Sequence, residues 1–128
     1  MDKGKFKSIT FEMWLREDGI VVLRWKPKVE LKLAQAQESF EVFTSITSGK
    51  KSPLLVDTAA VQYYTREFRE YYVSEAVSQT ASAVALLVGS PLTRTMANFF
   101  LSVSKPRIPT RMFDSEAAAI KWLKEFIT

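Results

Sequence analysis

The sequence PLLVD at residues 53–57 decides the fold, because it is a short apolar run that stops at an acid. A run of this kind is typical of a strand that is buried on both faces of a sheet. An amphipathic helical pattern then starts at Thr65, whose hydroxyl is suited to cap a helix. The same step from a strand to a capped helix recurs at Ser90, after the apolar run 83–88, and again at Asp114. These steps predict parallel strands joined by crossover helices.

The segment before this run predicts a β-hairpin followed by a helix. From Ile9 to Leu15 apolar and polar residues alternate, which is the period of a half-buried strand. The side chains of Ile9 and Leu15 should therefore both face the core. The Asp-Gly pair at 18–19 supplies the positive φ of a tight turn, and residues 20–25 form an apolar return strand. Apolar residues recur at helical spacing over 31–46.

The predicted order is β-β-α-β-α-β-α-β-α, an α/β fold whose mixed, mostly parallel sheet starts with the hairpin. With 128 residues, the chain is expected to form a single domain, 1–128, in which residues 1–7 fray. The side chains predicted to face the core from the four helices are Leu33, Ala36, Phe40 and Phe43; Phe68, Tyr72 and Ala76; Leu92, Met96, Phe99, Phe100 and Val103; and Ala119, Ile120, Leu123, Phe126 and Ile127. Leu101 is expected to be exposed, and a dimer seam is the alternative to a wide buried stripe in the third helix.

Two residue types that carry much of enzyme chemistry are missing, because the chain contains no cysteine and no histidine. Disulfides, thiol nucleophiles, Ser-His-Asp triads and histidine zinc sites are therefore excluded. No pair of carboxylates has a spacing that indicates a general acid and base. We expect a protein that is not an enzyme and that holds no cofactor and no metal.

The net charge of +4 is spread along the chain, apart from Lys3, Lys5 and Lys7 near its start. Scattered charge indicates solvated surface rather than a nucleic-acid footprint, which is concentrated on one face. No apolar run reaches the ~20 residues of a membrane span, and the start lacks the apolar segment of a secretory signal. We therefore expect a cytoplasmic protein with no nucleic-acid partner and no membrane insertion.

The carboxyl ends of the predicted parallel strands form the first candidate site, since ligands of open α/β sheets bind at this edge. Helix N-termini and arginines would favour an anionic ligand there. The alternative is that the same residues only end strands, cap helices and face solvent. The candidate ligand or partner residues at this edge are Asp57, Thr65, Arg66, Ser90, Thr93 and Arg94.

Four tyrosines lie beside this edge, and they form the second candidate. Tyr63, Tyr64, Tyr71 and Tyr72 cannot all be buried on one side of a helix, so some of them should be exposed. Exposed aromatic side chains are enriched at protein interfaces, while ordinary packing is the alternative. Together with Arg69, Tyr63 and Tyr64 complete the candidate partner surface.

Five segments carry a resemblance to a known fold family: DGIV at 18–21, LLVD at 54–57, AVALLVGS at 83–90, NFF at 98–100 and AAIKWL at 118–123. They resemble the STAS fold, which is found in bacterial anti-sigma-factor antagonists and in the cytosolic domains of sulfate transporters. The chain is similar in particular to the stand-alone, SpoIIAA-like bacterial proteins. The resemblance covers residues 6–126 and implies a SpoIIAA-like α/β fold.

The resemblance also points to a regulatory position after the central strand. In the antagonists of this family a serine of an Asp-Ser-Ser/Thr-Gly motif is phosphorylated, whereas the matching stretch here, residues 64–67, has neither serine nor glycine. Thr65 is the nearby hydroxyl that would take this role, with Arg66 or Arg69 to pair with the phosphate. The alternative is that Thr65 only caps its helix.

Two functional hypotheses follow. The first is a non-enzymatic, STAS-like interaction or regulatory module that binds a protein partner, or itself, through the 57–72 region. The alternative is a domain that binds a small molecule, an anion or a lipid in the crevice at the carboxyl ends of the parallel strands. CRAL-TRIO lipid-transfer proteins are sometimes grouped with this fold, so an apolar ligand belongs to the second hypothesis.

Overall fold

Within residues 5–127, which the computed structural model describes, six strands form a single sheet in the order β1-β2-β3-β4-β5-β6. The first three strands are antiparallel, and β3 to β6 run parallel to one another. This confirms the predicted mixed, mostly parallel sheet with an N-terminal hairpin. The strands are β1 (Phe6–Lys7), β2 (Phe11–Leu15), β3 (Val21–Trp25), β4 (Ser52–Asp57), β5 (Ala81–Leu87) and β6 (Thr110–Phe113).

The described residues form five α-helices. Four of them lie in the connections between the parallel strands, and the fifth follows the last strand. The helix predicted to run from Phe68 to Ala76 is in fact two helices, since the chain turns at Ser74, whose N–H and hydroxyl both donate to the Tyr71 carbonyl. Ala76 is therefore exposed, and Val77 takes the buried position. The helices are α1 (Leu33–Thr47), α2 (Arg66–Tyr72), α3 (Glu75–Thr80), α4 (Pro91–Phe99) and α5 (Glu116–Leu123), with a π-helical segment (Phe100–Ser104) after α4 and a 3-10 turn (Lys124–Phe126) after α5. None of the described helices is both long enough and apolar enough to cross a membrane.

The start of the chain differs from the prediction at two points. Phe6 and Lys7 pair with β2, so the predicted fraying of residues 1–7 does not extend to them, and residues 1–4 lie outside the described part of the chain. Ile9, predicted to face the core, is 90% exposed because it precedes β2 in a bend. The Ser8 hydroxyl stabilises this bend by accepting hydrogen bonds from the next backbone N–H groups. Leu15, at the far end of β2, is also exposed.

Helices α1 to α4 cover one face of the sheet, and α5 covers the other. Strands β3 to β6 lie side by side in chain order, so their three crossovers advance in the same direction. Because such crossovers are right-handed, their helices all lie on one face. The last helix follows the final strand and packs on the opposite face. Both faces are thus covered, which explains why the central strands are almost continuously apolar.

Two hydrophobic cores result, one on each face of the sheet. The larger core combines Trp25, Val56 and Leu86 of the strands with Phe43 of α1 and Phe68 of α2, among others. The smaller core lies under α5, and its buried residues are Ile20, Val22, Leu55, Ala83, Ala85, Ala119, Ile120 and Leu123.

Only part of the predicted apolar face of α4 is buried. Phe100 is buried and Met96 packs against the core, as predicted. Leu92, Phe99 and Val103 are exposed instead, Thr93 and Ala97 take buried positions, and Leu101, predicted to be exposed, is partly buried. Thr93 is held inward because its hydroxyl closes a capping box with Ser90 at the start of the helix. The rest of the predicted face forms an exposed apolar stripe of Leu92, Phe99 and Val103.

Two other residues at the ends of predicted helical stripes are exposed. Leu33 lies in the first turn of α1, where Leu31, just before the helix, occupies the core instead. Ile127 follows the 3-10 turn in extended backbone, because the α-helical repeat ends at Leu123. Phe126, in the 3-10 turn, is partly buried. At the other end of α5, Ser115 caps the helix by accepting a hydrogen bond from the Ala118 N–H.

Candidate functional site

A cavity of about 60 Å³, partly open to solvent, lies where β3, β4 and β5 end, on the face covered by α1 to α4. We call it the α2–α4 pocket, because its walls come from these two helices and the segments beside them. Its position agrees with the rule that open α/β sheets bind ligands at the carboxyl ends of their strands. It is lined by Trp25, Leu31, Val56, Thr58, Val61, Tyr64, Phe68, Arg69, Tyr72, Leu86, Thr93, Met96, Ala97 and Phe100.

One wall of the pocket is a row of aromatic rings. Tyr64 stacks on Phe68 with the ring centroids 5.9 Å apart, and Phe68 stacks on Tyr72 at 4.8 Å. Phe68 and Tyr72 are one helical turn apart on α2, so helical spacing places their rings on the same side of the helix. Met96 and Ala97 of α4 form the facing wall.

Three of the neutral polar side chains that line the pocket, Tyr64, Thr58 and Thr93, form hydrogen bonds with the protein itself. The Tyr64 hydroxyl donates to the Met96 carbonyl at 3.1 Å, which connects the two walls. The Thr58 hydroxyl donates to the Leu87 carbonyl at 2.8 Å, and the Thr93 hydroxyl belongs to the capping box of α4. A ligand in the pocket therefore meets a mostly apolar surface, and Tyr72 and Arg69 carry the remaining polar groups of the lining residues.

Tyr72 carries a buried hydroxyl that forms no hydrogen bond of good geometry within the described residues, although Ser39 and Trp25 lie beside it. Burial raises the pKa of the Tyr72 hydroxyl well above its ordinary value. The group therefore stays protonated at neutral pH and cannot act as a general base.

Asp57 lies on the opposite face of the sheet from the pocket. Side chains alternate along β4, so Asp57 points to the same side as Leu55, toward α5, while Val56 points into the pocket. One carboxylate oxygen accepts a hydrogen bond from Arg24 Nε at 3.0 Å, and the other accepts one from the Ala59 N–H at 3.0 Å. The carboxylate thus joins β3 to β4, apart from the other predicted site residues.

Thr65 and Arg66 are engaged in local contacts of α2. The Thr65 hydroxyl accepts a hydrogen bond from the Phe68 N–H at 3.1 Å, which confirms its role as the helix cap. Arg66 is exposed and pairs with Glu70, one turn further along, at 2.8 Å. Phosphorylation of Thr65 would replace this cap bond, and the guanidinium of Arg66 already has a carboxylate partner.

The predicted residues of α4 are also satisfied locally. Ser90 caps the helix by accepting a hydrogen bond from the Thr93 N–H, which confirms the predicted cap. Arg94 forms an exposed ion pair with Asp114 at 3.1 Å. The arginines predicted to favour an anion in this crevice, Arg66 and Arg94, are thus both paired with acids.

The tyrosines divide into one exposed and three packed side chains. Tyr63 is 62% exposed, whereas Tyr72 is buried and Tyr64 is partly buried in the pocket wall. Tyr71 packs against Phe40 of α1, with the ring centroids 6.0 Å apart.

The pocket itself was not predicted in detail, because Trp25, Leu86 and Met96 come from distant parts of the chain. The signal that pointed to this region was the shared carboxyl edge of the strands.

Among the described residues, no group of three or more acidic side chains is placed to hold a metal ion. The acids near the strand ends are engaged elsewhere, since Asp57 pairs with Arg24 and Asp114 with Arg94.

Gly89 brings the loop after β5 against the loop after β4, beside the pocket. A Cβ at this position would lie 2.8 Å from the Cβ of Ala59, which is closer than two such atoms approach. We expect Gly89→Ala to lower the free energy of unfolding by about 1–2 kcal/mol, because one of the two loops must move. Adding Ala59→Gly should recover part of the loss, as measured by urea denaturation. A double variant no more stable than Gly89→Ala would show that this contact is not limiting.

Comparison with known proteins yields a family match and a likeness in fold. A family model described as a domain of unknown function matches residues 13–127. No curated protein shows significant sequence similarity to the chain.

Two solved structures are similar to the chain. An uncharacterised protein of the DUF3478 family with a SpoIIAA-like fold, from Shewanella loihica PV-4, gives a TM-score of 0.58 at 14% identity, over 94% of this chain and 99% of that chain. A protein of unknown function from Arthrobacter sp. FB24 is 30% identical over 87% of this chain and 90% of that chain, with a TM-score of 0.34. The first likeness confirms the predicted SpoIIAA-like fold.

Proposed function

The chain belongs to the DUF7793 family, a family defined by a domain of unknown function, and from the geometry of its α2–α4 pocket we propose that it is a non-enzymatic domain that binds a small apolar ligand. The observation that carries this proposal is the lining of the pocket. The lining is mostly apolar, and three of its neutral polar groups, Tyr64, Thr58 and Thr93, are bonded to the protein. A fourth, the Tyr72 hydroxyl, is buried beside Ser39 and Trp25. Water in such a site finds few partners, so an apolar group displaces it favourably.

The architecture of the pocket supports the proposal further. Strand residues such as Val56 and Leu86 form a rigid floor, and the two walls come from separate helices. Polar contacts join the two walls at two places: the Tyr64 hydroxyl donates to the Met96 carbonyl, and Arg69 donates to the Ser104 hydroxyl. A small shift between α2 and α4 would therefore widen the entrance without disturbing the sheet.

The proposal is tested by filling the pocket. We expect 1-pentanol to shift the amide resonances of Phe68 and Met96 in NMR titrations of the wild-type protein. Ala97→Leu should weaken this binding by more than about tenfold, because the larger side chain occupies the cavity. Ala117→Leu, an exposed alanine on α5, is the matched control and should bind as the wild type does. If the wild type shows no shifts in the pocket, or Ala97→Leu binds equally well, the proposal is wrong.

A second candidate function is binding of a protein partner, or self-association, through the 57–72 region. The observation that favours it is an apolar surface around the exposed Tyr63 and the exposed stripe of Leu92, Phe99 and Val103. Arg69 of α2 lies 5.2 Å from the Phe99 ring, so the stripe continues onto the 57–72 region. Sedimentation velocity of the wild type and of Phe99→Ser tests self-association, and a monomeric wild type would leave only a heterologous partner.

We also propose a bacterial, cytoplasmic setting and a stand-alone, STAS-like role without a nucleic-acid partner. The similar solved proteins from Shewanella and Arthrobacter support a bacterial origin. Expression of a tagged chain followed by fractionation of the cells tests the compartment, and recovery of the chain from the membrane or secreted fraction would contradict it.

A further inference from the structure

We infer that Arg69 makes the α2–α4 pocket selective for a small apolar acid, a molecule with a short apolar body and a carboxylate head. This inference rests on the proposed function, since it requires the pocket to bind an apolar body. It adds the chemical class of the ligand and names the residue that recognises it.

Arg69 is held at the pocket by contacts on two sides. Its Nη1 donates to the Ser104 hydroxyl at 3.0 Å, and the guanidinium carbon lies 5.2 Å from the centre of the Phe99 ring. Both contacts reach from α2 to the end of α4 and the π-helical segment after it. Arg69 is a pocket-lining residue, and these contacts hold its guanidinium beside the pocket, at the end of α4.

Among the described residues, Arg69 has no carboxylate within ion-pair distance, which distinguishes it from four other arginines. Its neighbour Glu70 is engaged by Arg66. The Ser104 hydroxyl accepts from only one of the five N–H donors of the guanidinium. The four arginines with acid partners are Arg16 (Asp18), Arg24 (Asp57), Arg66 (Glu70) and Arg94 (Asp114).

The charge of Arg69 acts on the pocket lining. Burial raises the pKa of the Tyr64 hydroxyl, and the nearby positive charge of Arg69 opposes this increase. Of the pocket-lining residues, Arg69 carries the single charged side chain. A carboxylate beside it gains charge-assisted, bidentate hydrogen bonds, whereas an ammonium group is repelled.

The dimensions of the cavity set the size of the apolar body. About 60 Å³ is less than half of the roughly 150 Å³ at which an apolar protein cavity takes up benzene. The enclosed part of the cavity therefore takes only the first few carbons of a short aliphatic chain, between Phe68 and Met96, and the partly open mouth leaves room for the rest of the chain and for its head beside Arg69. A long lipid chain would extend beyond the pocket.

The experiment compares three probes with the same chain length, namely pentanoate, 1-pentanol and pentylammonium, in NMR titrations of the full chain. We expect pentanoate to bind the wild type about tenfold more tightly than 1-pentanol, and pentylammonium to bind most weakly. Arg69→Gln should remove the preference for pentanoate, so that pentanoate and 1-pentanol bind this variant with similar affinities. Arg69→Lys, which keeps the charge but loses the bidentate geometry, should retain part of the preference.

Arg66→Gln is the matched control, since it removes an arginine from the same helix that is exposed and already paired with Glu70. It should leave all three affinities unchanged. Equal binding of pentanoate and 1-pentanol by the wild type would overturn the role of Arg69 but leave the apolar pocket intact. Binding of none of the probes would overturn the proposed function itself. If Arg69→Gln fails to fold, the ranking of the three probes on the wild type still decides the question.

Discussion

Replacing Trp25 by alanine is expected to lower the free energy of unfolding by about 3–5 kcal/mol. The indole is 2% exposed and connects the hairpin to α2. Its ring makes edge contacts with Phe11, 5.3 Å away in β2, and with Phe68, 5.6 Å away in α2. The void that the substitution creates adjoins an existing cavity, so the surrounding side chains cannot close it fully.

Urea denaturation followed by circular dichroism measures this loss, and Trp14→Ala provides the matched control. Trp14 lies on the neighbouring strand but is only partly buried, on the opposite face of the sheet. Its removal should cost roughly half as much or less, because less of the side chain is removed from water in the folded state. Equal losses for the two variants would contradict the central position that the structure assigns to Trp25.

Leu123→Ala is expected to lower the free energy of unfolding by about 3 kcal/mol. Leu123 is fully buried and belongs to α5, the helix that covers the second face of the sheet. The strands present small side chains there, Ala83 and Ala85, so the leucine fills the space above them.

The control for this variant is Lys121→Ala, two residues earlier in α5 and exposed to solvent. It should change stability by no more than about 0.5 kcal/mol, because an exposed helical lysine makes few packing contacts. Thermal unfolding of both variants measures the difference. If Leu123→Ala is as stable as Lys121→Ala, the packing of Leu123 under α5 does not contribute to stability as the structure indicates.

Features that depend on neighbours along the chain were predicted correctly from the sequence. The hairpin at Gly19 and the caps at Thr65 and Ser90 rest on contacts that span a few residues, and the structure contains all three. The parallel arrangement of the later strands follows from the alternation of strands and helices along the chain, because crossover connections leave few other arrangements.

The predictions that failed concern which side of an element faces the core. On α4, Leu92, Phe99 and Val103 were predicted to face the core and are exposed, whereas Thr93 and Ala97 are buried. The polar Thr93 carries no hydrophobic signal, and its inward position depends on the capping box. At the hairpin, the bend at Ser8 removes Ile9 from the core although the alternation is regular.

The sequence by itself therefore determined the fold class, the order of the main elements apart from β1 and the break between α2 and α3, the two caps, and the absence of histidine and thiol chemistry. Each of these depends on composition or on residues close together in the chain. Tertiary structure alone decided where the pocket lies and which charges are available in it. Asp57 pairs with Arg24 of the neighbouring strand, and Arg66 pairs with Glu70 within its own helix. Arg69 donates to Ser104, 35 positions away in the chain. These pairings depend on how distant elements pack, and no local pattern in the sequence distinguishes Arg69 from Arg66.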